Sequence, residues 1–253
     1  MDTYVVKVGT DTITQGTHLN GEVMASNARQ ISELGQRVIL VSSGAIGAAK
    51  TLLPPNAEPQ IREMDQGLSC IGQWKLMAAW DYHFNNHNIG CGQILLKEED
   101  FNNGKGRENL CRTLDQVQAI EQATGKRFVL IVNGNDVTSH GPIEYDNDHI
   151  AGIVTEVSDA TKLIIETDVD GLFNGDPHDS ASRIIREVRA GVDEWRKFIS
   201  PNGSKNGKGN MDSKCEVAER LARLGKEALI GNGKEVDAIH RLIRHEIGTR
   251  FYS

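Results

Sequence analysis

The sequence predicts an α/β protein: a mostly parallel central sheet sandwiched between helices. Short apolar runs with the composition of buried strands, such as Val38 to Val41, alternate with longer segments of helical spacing. That alternation is how parallel sheets covered on both faces are built. Polar, glycine-bearing clusters follow directly after the apolar runs. In such sheets ligands bind outside the carboxyl ends of the strands.

Taken in order, strands are expected at 3–8, 37–42, 89–96, 128–132, 161–166 and 226–230, and helices near 20–35, 66–87, 107–124, 146–158 and 212–225. Within 66–87, Cys70, Trp74, Met77, Trp80 and Phe84 follow helical spacing, which marks core or a subunit contact. Pro54, Pro55 and Pro59 mark one irregular stretch, and the glycine-rich, lysine-bearing segment 200–210 a second. The last residues, Gly248 to Tyr252, are expected to add an edge strand.

A chain of 253 residues can bury a full core. The expectation is one domain over 1–253, with a first lobe over roughly 1–160 and a second over 161–253. The net charge of −7 argues against nucleic acid as the main partner, so any phosphate site must be local. No apolar run approaches the roughly 18 residues of a membrane span, and no signal-peptide pattern opens the chain. The four cysteines are scattered without a C-x-x-C pair, as in proteins of a reducing compartment, so a cytoplasmic location is expected.

Five clusters carry the chemistry. Val5 to Thr10 puts Lys7 and Gly9 at a strand end, and Ser42-Ser43-Gly44 does the same with backbone N–H groups at a helix start. Asn133-Gly134-Asn135-Asp136 ends another strand, and Asp146-Asn147-Asp148 opens the next helix. Such short polar residues also suit turns and helix caps; two clusters framing one loop suit binding of an ammonium or a metal, or orientation of lysines. The fourth cluster is Thr167-Asp168 with the Asp170-Gly171 turn, read blandly as loop chemistry or functionally as a nucleotide shelf. The fifth, Lys208 to Lys214, leads into a helix and brings a second cation. His83 and His87 lie i, i+4 but lack an evident third ligand, and His149 reads as a helix-start residue.

This ordered set resembles the amino acid kinase family over nearly the whole chain, and within it the glutamate-phosphorylating members most closely. The resemblance also rests on Gly72-Gln73, on Gly92-Gln93, and on the run from Thr167 through Gly171-Leu172-Phe173 to Asp176-Pro177. It implies that Lys7 and Lys214 stabilise the transferring γ-phosphoryl group while Asp148 holds the two ammonium groups. It further implies that Ser43, Asn133, Asp136 and Asn147 bind the amino acid. Thr167, Asp168 and the segment Lys208, Gly209, Asn210, Met211, Asp212, Ser213 and Lys214 would bind ATP, with Gly9 and Gly44 donating N–H groups to phosphates.

The implied reaction is ATP-dependent phosphorylation of the side-chain carboxylate of L-glutamate, the first step of proline biosynthesis, with ATP and Mg²⁺ as cofactors and Mg²⁺ bridging phosphate oxygens. A homo-oligomer is implied, as is hand-off of the labile product to a glutamyl phosphate reductase. A carboxylate nucleophile is already ionised near neutral pH, so catalysis reduces to positioning and charge stabilisation. No G-x-x-x-x-G-K-[ST] loop and no protein-kinase H-R-D or D-F-G set occurs.

Three departures from the family pattern are present. Gly134 stands where the family usually has glutamate, Asn210 where it has glycine, and the chain ends without the RNA-modification-type (PUA) domain that many bacterial members carry. Gly134 keeps open the same chemistry on a different amino-acid carboxylate. A non-catalytic sensor of ATP or an amino acid is the reading from another class, and the phosphoryl clamp of Lys7, Asp148 and Lys214 speaks against it.

Overall fold

The computed structural model describes residues 2–16, 18–54, 56–97, 99–102, 104–138, 146–198 and 211–253. Three of the expected nucleotide-binding residues, Lys208, Gly209 and Asn210, lie outside them.

The first half of the chain runs β1 (Thr3–Val8), α1 (Thr10–Ile13), β2 (Thr14–Gln15), β3 (His18–Leu19), α2 (Gly21–Glu33), β4 (Arg37–Ser42), α3 (Ala45–Lys50), α4 (Pro59–Arg62), α5 (Asp65–Asn85) and β5 (Ile89–Leu96). It continues through α6 (Glu99–Asn102), α7 (Lys105–Thr124), β6 (Arg127–Gly134), α8 (Asn147–Val157) and β7 (Lys162–Thr167). The remainder is β8 (Glu187–Arg189), a 3₁₀ turn at Asp193–Phe198, α9 (Met211–Arg223), β9 (Glu227–Asn232), α10 (Ala238–Ile243) and β10 (Thr249–Tyr252).

One eight-stranded sheet runs through the molecule in the order β5-β6-β4-β1-β7-β9-β10-β8. All its pairings are parallel except β9 with β10. Because side chains alternate across a strand, each strand feeds two cores. On one face Val5, Val41, Val132 and Ile165 pack with Ile150 and Val154 of α8 and with Val217 and Leu221 of α9. On the other, Val6, Val8, Leu40 and Ile164 pack with Met24 and Ile31 of α2, Trp80 and Phe84 of α5, and Ile239 of α10. The doubly covered parallel sheet expected from the sequence is therefore observed.

Two expectations are corrected. The C-terminal strand is not at the edge: β10 sits between β9 and β8, and the three-residue β8 forms the edge. Phe251 explains the insertion, since its ring is fully buried and meets Trp195 edge-on, with centroids 6.4 Å apart. In α5 the buried line is Leu68, Gly72, Leu76, Trp80 and Phe84, whereas Cys70 is exposed and Trp74 is 66% exposed. Gly72 sets that rotation, because a Cβ there would stand 1.8 Å from the Ala45 carbonyl oxygen of α3.

The chain leaves β1 toward β4 on one side and reaches β7 on the other. β1 therefore lies at a topological switch point, where α/β sheets open a crevice at their strand ends. Val8 is paired with Ser42 and with Glu166, so the polar clusters after β1, β4 and β7 share one end of the sheet. No helix among the described residues is long and apolar enough to cross a membrane.

Candidate active site

The centre of the site is a buried charge triad. Lys7, one residue from the end of β1, places its Nζ 2.7 Å from Asp148 Oδ1, and Lys214 in the first turn of α9 places its Nζ 3.0 Å from Asp148 Oδ2. The Lys214 contact is a hydrogen bond, while the Lys7 contact is an ion pair. Asp148 is fully buried and both lysines are 5% exposed. Two ammonium groups on one carboxylate leave a buried net positive charge, which an incoming anion offsets. Burial is the larger force on Lys7 and lowers its pKa; repulsion from Lys214 adds to this, and Asp148 opposes it.

Asp148 is delivered by a helix cap. Asp146 caps α8, its Oδ1 accepting from the N–H groups of Asp148 and His149, each at 3.0 Å. The same carboxylate holds the His149 ring at 3.0 Å and accepts from Ser213 Oγ at 2.7 Å, which ties the start of α8 to the start of α9. Burial alone would raise the Asp146 pKa, but the bonds from His149 and Ser213 outweigh it and hold the carboxyl well below its usual range. The hydrogen bond to Asp146 in turn raises the His149 pKa, against its partial burial. The Asp146–His149 contact follows from i, i+3 spacing on one helix, whereas the contact of Asp146 with Ser213, 67 residues away, had no sequence signal.

Beside the triad lies a relay of amides. Asn147 Nδ2 donates to Ser43 Oγ at 2.7 Å and to Asn133 Oδ1 at 2.9 Å, and Asn133 Oδ1 also accepts from the Gly134 N–H at 2.9 Å. The structure therefore brings Ser43, Asn133 and Asn147 into direct contact. Asp136 joins them across Gly134: a Cβ built there would meet Asp136 Oδ1 at 3.6 Å and Asn147 Oδ1 at 3.8 Å. Two residues not expected at the site support it from α5. Ser69 Oγ donates to Asp136 Oδ2 at 2.7 Å, and Gln73 Oε1 accepts from Asn133 Nδ2 at 2.9 Å.

The glycines divide in role. Gly44 adopts φ +105°, a left-handed conformation open chiefly to glycine, as the chain turns from Ser43 into α3. The Gly9 N–H is donated to the Glu166 carbonyl oxygen at 3.2 Å, so in this structure it is already committed. Thr167 is buried at the end of β7 with its Oγ1 donating to the exposed Asp168 at 3.2 Å, and no contact joins this pair to the triad among the described residues. Met211, Asp212 and Ser213 are half-buried in the first turn of α9. No group of three or more His, Cys, Asp or Glu side chains that could hold a metal occurs among the described residues.

Residues 2–232 match the sequence model of the amino acid kinase family. Glutamate 5-kinase of Nitrosospira multiformis is 35% identical over 253 residues, covering 97% of this chain and 66% of the relative. Glutamate 5-kinase of Vibrio campbellii is also 35% identical, covering 98% of this chain and 66% of its own length. The chain thus spans about two thirds of the length of these curated relatives. Among solved structures, carbamate kinase from Giardia lamblia bound to AMP-PNP superposes with a TM-score of 0.65 at 13% identity, covering 99% of this chain and 98% of the other, a likeness of fold. The matched span contains the triad, the amide relay and every strand of the sheet except β10, and the chain belongs to the amino acid kinase family.

Proposed function

We propose that the protein transfers the γ-phosphoryl group of ATP to the side-chain carboxylate of L-glutamate, forming L-glutamyl 5-phosphate and ADP. A carboxylate oxygen forms the new P–O bond, the bond from the γ-phosphorus to the ADP oxygen breaks, and no proton need move. The observation that carries the reading is the buried Lys7–Asp148–Lys214 triad at the switch point of the sheet. Its two ammonium groups are fixed before substrate arrives, so stabilising the charge of the transferring group requires no reorganisation of the site. The relatives' names support glutamate as the acceptor.

In this reading Ser43, Asn133, Asp136 and Asn147 hold the amino acid, with Asp136 as the partner for its ammonium group. Thr167, Asp168 and the start of α9 hold the nucleotide. Each oxygen of the triad carboxylate faces a lysine ammonium, and in this reading Mg²⁺ comes with the nucleotide, carried by its phosphates. When bound there it would neutralise phosphate charge. The lability of an acyl phosphate favours hand-off to a reductase that consumes it.

Incubation with ATP, Mg²⁺ and hydroxylamine across a panel of amino-acid carboxylates tests the substrate, since hydroxylamine traps an acyl phosphate as a hydroxamate. The expected result is hydroxamate from L-glutamate. Gly134 favours one second reading, the same chemistry on a bulkier carboxylate, and hydroxamate from another panel member without any from glutamate would select it.

A further inference from the structure

The residues expected to hold the amino acid come from the carboxyl ends of β4 and β6 and from α8, yet three of the side chains that lock this region come from one face of α5. Ser69 donates to Asp136, Gln73 accepts from Asn133, and Trp80 Nε1 donates to Ser42 Oγ at 2.8 Å, beside Ser43. Their spacing, i, i+4 and i+11, places them on one side of a helix. That side is pinned by Gly72, whose missing side chain lets α5 rest on the Ala45 carbonyl.

The Asn133 amide at the centre of the relay is held from both sides. The Gly134 N–H is shared between Asn133 Oδ1 at 2.9 Å and Asn147 Oδ1 at 3.2 Å, while Asn133 Nδ2 on the other side of the amide has the Gln73 oxygen as its acceptor. Gln73 then has to present its oxygen. Its Nε2 is buried with no hydrogen-bond partner among the described residues. Leaving a buried donor unmade is costly, which argues that Gln73 is held for the oxygen that orients Asn133.

We propose that Ser69 and Gln73 are positioning residues for the amino-acid site, fixing the orientation of the Asp136 carboxylate and the Asn133 amide respectively. Neither is assigned to touch substrate. Without the Gln73 oxygen, Asn133 Nδ2 loses its acceptor, and the Asn133 amide is held on one side only, through the donors that reach its Oδ1. An amide held on one side tilts more freely, which loosens the Asn133–Asn147 pair that reaches Ser43. The proposal rests on the amino-acid-binding role given to Asn133, Asp136 and Asn147 above.

Gln73→Met keeps the size of the side chain and removes the acceptor, while Gln73→Glu keeps an acceptor oxygen. In Gln73→Met the KM for the amino acid should rise by roughly three- to tenfold, the loss of one hydrogen bond, with kcat and the KM for ATP little changed. In parallel, the side-chain amide protons of Asn133, followed by ¹⁵N NMR, should exchange slowly in wild type and Gln73→Glu and rapidly in Gln73→Met. Unchanged KM with protected Asn133 protons in Gln73→Met would overturn the proposal. So would rapid exchange in Gln73→Glu, or a Gln73→Met chain that does not fold, which would assign Gln73 to packing. If wild type phosphorylates no panel carboxylate, the catalytic reading fails, and the NMR comparison still decides whether Gln73 orients Asn133.

Discussion

Asp148 serves two lysines from the first turn of α8, where Asp146 accepts from its backbone N–H and fixes the start of the helix that carries it. Lys7→Ala and Lys214→Ala should each lower kcat by about 10²–10³-fold, far more than they raise the KM for glutamate, because the contacts removed are to charge that develops during transfer. Near-wild-type kcat in steady-state assays of either variant would remove that lysine from the role. Asp148→Asn should depress kcat and also lower the thermal midpoint, since it leaves two buried ammonium groups without a counter-charge, a loss of about 3–5 kcal/mol for a broken buried pair. Unchanged kinetics would take Asp148 out of the site.

Gly134 is a separate case. A Cβ there meets only ordinary contacts, the nearest being Ile150 Cδ1 at 3.5 Å, so a side chain can be placed without displacing the backbone. Gly134→Glu should lower the KM for glutamate several-fold by added attraction for its ammonium group, with kcat nearly unchanged. A raised KM would show that repulsion by neighbouring Asp136 wins instead. At this scale the triad was legible because Lys7 near a strand end and Asp148 and Lys214 at helix starts belong to the ordered set that resembles the family. Gln73 stood out only within the Gly72-Gln73 motif, with no role attached, and Ser69 did not stand out at all: inside a long helix neither side chain shows its partner until the packing of Gly72 turns that face inward.

Among the elements, the end of β7 holds a group unlike the rest. Glu166 points to the opposite face of the sheet from the core contacts of Ile165, is fully buried, and accepts a hydrogen bond from Asn27 Nδ2 of α2. No ion pair reaches it among the described residues, and burial pushes its pKa up to about 8 despite the Asn27 bond. Its Oε1, Asn27 Oδ1 and Thr12 Oγ1 of α1 are all buried without hydrogen-bond partners, which a proton on the carboxyl would help satisfy. The folded state therefore keeps a proton that the unfolded chain releases near pH 4.5. Stability from this group is present in full below that point, falls as pH rises toward about 8, and levels off above it, at up to about 1.4 kcal/mol per pH unit. Glu166→Gln mimics the protonated acid and should flatten this slope. Urea unfolding at pH 6, 7.5 and 9 checks it, and equal pH dependence in both proteins would contradict a neutral Glu166.

The long elements were readable for a common reason. Strands such as β4 and β7 are apolar runs buried on both faces, and helices such as α7 and α8 keep a regular spacing. β8 has three residues with one buried, too short to show alternation, and its partner β10 was consequently placed at the edge. The α5 stripe was displaced because its inward face is set by a glycine, which hydrophobic spacing does not count.

For the whole molecule, parallel strands at a switch point bring residues from distant parts of the chain to one end of one sheet, and β1 paired with β7 joins its two halves. The net charge of −7 is compatible with an anionic substrate because the positive charge that matters is buried and local. The central claim is that a carboxylate oxygen of glutamate attacks the γ-phosphorus. L-glutamate labelled with ¹⁸O in its side-chain carboxylate, turned over with ATP and Mg²⁺ in the presence of hydroxylamine, tests it directly. Hydroxylamine attacks the acyl carbon and releases phosphate with the bridging oxygen, so the expected phosphate carries one ¹⁸O atom derived from glutamate. Phosphate released without label would mean that water, not glutamate, receives the phosphoryl group.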